Sequence, residues 1–288
     1  MSLNDGEWIS EVFENRTAFS VRFSRKLYDE VSDFQRIQIF ETEPMGRVLI
    51  LNGCFMVTEQ DAFMYHEMLV HPAMRVLSNP LNILVIGGGD GGAVTELVKY
   101  PSVESVTLCE IDPLVVKSCR DFFPHVSQGL NDPRVKVVVQ DGASFVRNSG
   151  EQFDLILVDS TDPVGPGKAL FEVPFYESIK GCLRGDCAAV FQTEGPVFMP
   201  EVFCSAVLDL RKVFGSKSVY PYFATIPCYP GGLWSFSFCS DRVNPTDQAR
   251  INAGPGPRGE LSCYSREIHE AAFAMPVFVK KSLDRADG

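Results

Sequence analysis

The strongest constraint on the fold is a short apolar run that flows into a glycine-rich turn. Asn82-Ile83-Leu84-Val85-Ile86 leads straight into Gly87-Gly88-Gly89-Asp90-Gly91-Gly92. A run apolar at every position from Ile83 to Ile86 needs cover on both faces, which is the situation of a central strand in a parallel sheet. Helices and strands then alternate: a helix over 93–99, a strand over 103–110 and a helix from Asp112-Pro113 through Phe122. In that helix Asp112 caps the first turn and Pro113 takes the first helical position, where its missing N–H is no loss. Strand Val135–Val139, a short helix, a strand over 153–158, a helix over 174–183, a strand over 188–192 and a helix over 201–214 follow. Such βαβ repetition predicts an α/β, doubly wound, Rossmann-like parallel sheet.

Val219–Thr225 and Leu233–Cys239 are joined by a short Pro/Gly turn and are therefore antiparallel. A C-terminal hairpin on a parallel sheet is a feature of S-adenosylmethionine-type folds, an analogy at the level of fold. A helix over 63–77 precedes the first buried strand. Upstream, residues 1–62 read as a small β-sheet domain of three or four strands, set apart from a Rossmann-like domain over 63–288. Asn52-Gly53 is a strong hairpin signal because both turn residues tolerate positive φ. So small a sheet must pack on something else, including another subunit.

The glycine-rich loop satisfies G-x-G-x-x-G in the required strand–turn–helix context, with Gly87 and Gly89 allowing close approach of a ligand. Glu110 ends the next strand, at the usual distance for a carboxylate that takes ribose hydroxyls. The loop alone does not separate dinucleotide from adenosyl ligands. Asp90 tips the balance, because it would face the pyrophosphate of a dinucleotide, and like charges brought together are costly once desolvated. Gln140-Asp141-Gly142 ends the third strand, where an acceptor can take an adenine amino group. An anionic loop suits a cationic ligand such as a sulfonium nucleoside.

Asp159 and Asp162 end the fourth strand in Val158-Asp159-Ser160-Thr161-Asp162-Pro163. Carboxyl ends of parallel strands face the ligand crevice, so these acids join Asp90 and Glu110 at one edge. Clustered carboxylates need positive charge to be tolerable. A divalent metal is one source; an amine ligand fits better beside Tyr65, Tyr229 and Trp234. His66 and His71 suggest H-E-x-x-H, but they stand five residues apart, ~140° around a helix, so no metal site is predicted. The formal net charge of -11 argues against nucleic acid as a partner and is compatible with cationic small molecules. No apolar stretch is long enough to span a membrane, and Met1 to Glu7 lacks the basic and apolar regions of a secretory signal. Nine cysteines without a CxxC pair read as reduced thiols, which points to the cytoplasm.

These residues resemble the spermidine synthases, the polyamine aminopropyltransferases, over nearly the whole chain. The resemblance runs through Ser32-x-x-Gln35, Arg47-Val48-Leu49-x-Leu51-Asn52-Gly53, Tyr65-His66-Glu67-Met68, the GGGDGG loop and Glu110-Ile111-Asp112. It continues through Asp141-Gly142, the DSTDPVGP stretch, Gln192-x-Glu194 and the tail from Cys263-Tyr264 to Phe273. The family implies decarboxylated S-adenosylmethionine as aminopropyl donor, with no further cofactor, and putrescine as acceptor. Spermidine and methylthioadenosine are the products. It implies that Gln35, Glu110, Asp141, Gly142 and Pro166 hold the nucleoside and thioether, and that Asp90 takes the donor's amine. It also implies that Tyr65, His66, Asp159, Ser160, Thr161, Asp162 and Tyr229 line the acceptor side, with Asp159 as proton acceptor. Gln192 and Trp234 become cavity walls, and a homodimer or homotetramer is expected.

Ala62 and Cys228 depart from the family pattern, where glutamate and threonine are common; both bear on acceptor preference rather than reaction class. Residues 161–171, with two prolines and two glycines, are expected to order over ligands as a lid. The competing readings are an amine N-methyltransferase, a non-catalytic polyamine-binding protein and a nicotinamide-dependent oxidoreductase. Asp90 opposes the first and the last.

Overall fold

The computed structural model describes residues 7–13, 15, 17–161, 163, 165–251 and 256–287, without the side chains of 165 and 166. Two sheets organise them. The first is an antiparallel meander of β1 (Trp8–Phe13), β2 (Thr17–Val31), β3 (Arg36–Thr42), β4 (Gly46–Leu51) and β5 (Cys54–Thr58), paired in chain order. It has one strand more than the sequence suggests. The 15-residue β2 carries register shifts at Phe23/Arg25 and Lys26/Tyr28, and each shift interrupts the period-two pattern that marks a strand. The Asn52-Gly53 turn forms as expected, with φ of 50° and 90° and Leu51 paired to Cys54.

The second sheet contains β6 (Asn82–Gly87), β7 (Ser105–Glu110), β8 (Val135–Val139), β9 (Phe153–Asp159), β10 (Leu183–Gln192), β11 (Val219–Thr225) and β12 (Leu233–Cys239). Its order is β11-β12-β10-β9-β6-β7-β8, parallel from β10 to β8 and antiparallel at the β11–β12 edge. This is the doubly wound sheet with a terminal hairpin. Strand β10 begins earlier than the alternation suggests, because Gly185 at φ 70° breaks its pattern and the pairing with β9 slips between Leu183 and Ala188.

The helices are α1 (Ala62–Met74), α2 (Gly92–Leu97), α3 (Pro113–Phe122), α4 (Gly142–Asn148), α5 (Val173–Gly181), α6 (Pro200–Phe214), α7 (Arg266–Ala272) and α8 (Val277–Asp287). Asp112 caps α3 through Leu114 N–H, as its sequence position suggests. Helix α1 is buried nearly all round, 11 of its 13 residues lying inside, so it has no solvent face to make it amphipathic.

Burial on all sides obliges α1 to find partners for its polar residues. His71 bonds Glu96 at 2.9 Å and the Tyr100 hydroxyl at 2.7 Å, on a different side from His66, as the five-residue spacing requires. The Glu67 carboxylate accepts from the backbone N–H groups of Ser262, Cys263 and Tyr264, each at 2.8 Å, and so fastens the C-terminal segment to the helix. Hydrogen bonds to a charged group are among the stronger ones. Glu67→Ala is expected to lower unfolding stability in urea by ~2–3 kcal/mol. It should also make the chain after residue 261 the first site of proteolysis. A loss under ~0.5 kcal/mol would contradict this role.

Candidate active site

The carboxyl ends of β6, β7 and β9 open into a cavity of about 330 Å³ whose opposite wall is the N-terminal sheet. Gln35, Tyr65, His66, Gly87, Gly89, Asp90, Glu110, Asp141, Gly142, Asp159, Ser160, Thr161, Gln192, Tyr229 and Trp234 all line it. Asp162 lies outside the described residues. Pro166 falls in the 3-10 turn Gly165–Phe171, and its side chain lies outside them too.

The lining contains three further carboxylates to which the sequence reading gave no role: Glu11, Asp61 and Glu194. Glu11 sits in a strand with no clear signal, where its carboxylate accepts from Phe55 N–H at 2.8 Å. Asp61 accepts from Thr58 Oγ1 at 2.5 Å and from Cys228 N–H at 2.8 Å, so it holds the turn before Tyr229. Cys228 thus contributes its backbone, and Ala62 lines the same cavity. Glu194 has φ 68°, a left-handed conformation that is costly for a residue with a side chain. The Gln192-x-Glu194 spacing was its only signal in the sequence. Gln192 donates to Glu194 at 3.1 Å and to the Ser160 carbonyl at 3.0 Å, and accepts from Glu194 N–H at 3.0 Å.

Seven carboxylates therefore face one cavity, and no lysine or arginine is found among its described lining residues. His66 supplies the internal positive charge, its Nε2 lying 3.0 Å from Asp90 Oδ1. Burial alone would discharge the imidazole, but the charge and hydrogen bond of Asp90 override it and hold its pKa up to about 9. The same pair keeps the Asp90 carboxyl low despite its burial. The ring rests on the start of α2, where a methyl on Gly92 would land inside the imidazole.

Asp159 is the complementary case. Burial and the neighbouring Asp90 charge raise its pKa to about 6, against the opposing pull of His66 and Tyr65. Tyr65 donates to Oδ1 at 2.6 Å, while Oδ2 is buried without a partner. An orphan carboxylate oxygen is expensive inside a protein unless a ligand completes it. A side chain on Gly88 would come within 2.8 Å of that oxygen, so glycine leaves the approach clear.

Glu110 is held by two N–H groups, Gly89 at 3.1 Å and Asp112 at 2.9 Å. Burial still raises its pKa to about 7, with those bonds opposing. Asp141 caps α4 through Ser144 N–H at 2.7 Å. Around the acceptor wall, Tyr65, Tyr229 and Trp234 stack edge to face, with centroids 5.7 Å and 4.6 Å apart. Tyr229 OH donates to the Met56 carbonyl at 3.0 Å. His66, Asp90 and Asp159 also bring one ligand atom each within 4.8 Å of one another, a spacing that a metal ion could accept. Two of the three are already engaged with each other, and the aromatic wall suits an organic cation.

Comparison with known proteins gives a consistent picture. Residues 62–249 match a family model described as the spermine/spermidine synthase domain, and residues 7–59 match the spermidine synthase tetramerisation domain. The polyamine aminopropyltransferase of Thermoanaerobacter sp. (strain X514) is 41% identical over 281 residues, covering 96% of this chain and 98% of that one. That of Methanocaldococcus jannaschii is 39% identical, covering 97% and 96%. A spermidine synthase solved in complex with the transition state analogue AdoDATO has a TM-score of 0.92 and 38% identity, covering 98% of this chain and 96% of its own. Spermidine synthase from Thermotoga maritima has a TM-score of 0.88 at 36% identity, covering 98% and 95%.

The His66–Asp90 pair has a pH signature of its own. A raised folded-state pKa means that the pair's stabilisation is complete below the ordinary histidine value of 6.5 and is lost as pH rises through about 9. In Asp90→Asn the main opposition to burial is removed and only the charges of Asp159 and Glu96 still favour the imidazolium, so the His66 NMR titration midpoint should fall well below about 9. A midpoint that stays near 9 would show that Asp90 is not the cause.

Proposed function

The chain belongs to the spermine/spermidine synthase family, and from that premise we propose that its acceptor is putrescine and that Asp159 is the proton acceptor. The protein is a polyamine aminopropyltransferase that uses decarboxylated S-adenosylmethionine as donor. The observation that carries the residue assignment is the orphan Oδ2 of Asp159 in a cavity of seven carboxylates. The reaction joins two cations. A free amine attacks the propyl carbon next to the sulfonium, the carbon–sulfur bond breaks, and a neutral thioether leaves. No oxyanion develops, so the task is alignment and delivery of an uncharged amine.

An alkylamine titrates near ~10.4, so presenting it neutral at pH 7 costs ~4–5 kcal/mol. A carboxylate of ordinary pKa is a weak base for this proton. Asp159, raised to about 6, is a better one, and Tyr65 orients it through Oδ1 while Oδ2 meets the amine. The far ammonium of a diamine calls for a second anionic contact, and Glu194, linked through Gln192 to the Ser160 carbonyl, is suited to it. Glu11 and Asp61 add negative charge to the same cavity. Asp162 belongs to the acceptor side on the family pattern.

Glu110, Gln35, Asp141, Gly142 and Pro166 hold the nucleoside in this reading, and Gly87 and Gly89 let it approach the loop. Asp90 pairs with the donor's amine and repels the α-carboxylate of the undecarboxylated compound. The loop after β9 serves as a lid in this reading; of its described residues Thr161, Gly167 and Leu170 line the cavity, while 162 and 164 lie outside the described residues. The assembly is a homotetramer built through residues 1–62, a separate unit from the 63–288 domain. Trp8 is 38% and Val12 58% exposed in the single chain, apolar surface that a neighbouring copy would cover. Nine free cysteines suit a reducing cytoplasm.

Incubation with decarboxylated donor and an amine panel should give putrescine a mass gain of about 57 Da, against about 14 Da for methyl transfer. A higher kcat/KM for cadaverine or spermidine would overturn the acceptor assignment. Asp159→Asn should lower kcat by about 100-fold or more, and a loss under about tenfold would remove it from the base role. The rate should fall as pH drops through about 6, because protonated Asp159 cannot accept. Tyr65→Phe removes a bond that stabilises the carboxylate, so this limb should move to higher pH.

A further inference from the structure

Asp112 is fully buried and does not line the cavity, yet it joins the segment between β2 and β3 to the nucleoside end of the site. Its Oδ1 accepts from Leu114 N–H at 3.0 Å, capping α3. Its Oδ2 accepts from Ser32 Oγ at 2.6 Å and from Gln35 Nε2 at 3.0 Å. Its own N–H donates to Glu110 Oε1 at 2.9 Å. We propose that Asp112 is a positioning residue that fixes the Gln35 side-chain amide with its carbonyl oxygen toward the donor substrate.

The argument is one of donors and acceptors. An ionised carboxylate has only lone pairs to offer, so an amide bonded to it must present nitrogen. Gln35 lines the cavity, and its Oε1 is then the atom left to face it. Together with Glu110, this makes the nucleoside end of the cavity a surface of acceptors, matched to ligand O–H and N–H groups. Ser32 reinforces the arrangement: its hydroxyl accepts from Phe34 and Gln35 N–H at 3.1 Å each while it donates to Asp112. Donor recognition is thereby tied to a turn of the N-terminal sheet. The inference rests on the reading that Gln35 and Glu110 hold the nucleoside.

Asp112→Asn separates orientation from structure. Asparagine caps a helix as well as aspartate does, and its amide oxygen can keep the bond to Leu114. Ser32 can turn its proton to the Gln35 backbone carbonyl, already 3.2 Å away. The new amide nitrogen, however, forces Gln35 to turn its oxygen inward and its nitrogen toward the ligand. Methylthioadenosine affinity by calorimetry should drop about tenfold or more, and donor KM should rise in parallel, with putrescine KM changing less than about twofold. Gln35→Glu, which leaves Asp112 in place, sets two carboxylates against each other and should weaken nucleoside binding likewise. The double variant Asp112→Asn/Gln35→Glu restores a donor–acceptor pair with an oxygen still facing the cavity. Its affinity should return to within about threefold of the parent.

Single variants that bind within about twofold of the parent, or a double variant no better than the singles, would overturn the proposal. Glu110→Gln distinguishes the failures. If it weakens nucleoside binding while both single variants do not, only the role of Asp112 falls. If it too binds normally, the nucleoside reading falls with it.

Discussion

Negative charge brought together at one sheet edge is the constraint on which the rest of this molecule turns. Parallel strands β6, β7 and β9 end side by side, so Asp90, Glu110 and Asp159 converge without any long-range folding accident. Carboxylates so close, and so far out of water, cannot all stay ionised unaided. The chain answers differently at each. Asp90 gains an imidazolium, Glu110 gains two backbone N–H groups, and Asp159 is left with one oxygen unmatched. The unmatched position is where incoming positive charge is worth most, and it is also where a proton is most readily taken.

Helix α1 makes this arrangement durable. Tyr65 and His66 are neighbours on it, one orienting Asp159 and the other neutralising Asp90. The same helix is anchored behind the site by His71 to Glu96 and Tyr100, and by Glu67 to the C-terminal segment. Its polar groups each face a partner fixed by a different element. Loosening any anchor therefore moves both site residues together, which couples the far end of the chain to the chemistry.

Much of this is legible in the sequence alone. The parallel strands announce themselves because they are apolar on both faces, and residues at their carboxyl ends are placed by topology alone. Asp90, Glu110 and Asp159 were found that way. Glu11, Asp61 and Glu194 acquired no role because their placement depends on other things. Glu11 rides on a strand paired to the irregular β2, Asp61 faces inward through its bonds to Thr58 and Cys228, and Glu194 owes its direction to a left-handed backbone. Helices α7 and α8 carry too weak a pattern to stand out, since only His269 and Ala272 of the first and Val279 and Leu283 of the second are buried.

The central claim is that this cavity holds two cations and brings the nitrogen of one to the unpaired oxygen of Asp159. A crystal structure with methylthioadenosine and putrescine bound together tests it most directly. One amine nitrogen is expected within ~3 Å of Asp159 Oδ2, with the nucleoside hydroxyls on Glu110. A diamine bound with neither nitrogen in hydrogen-bond reach of Asp159 would contradict the account.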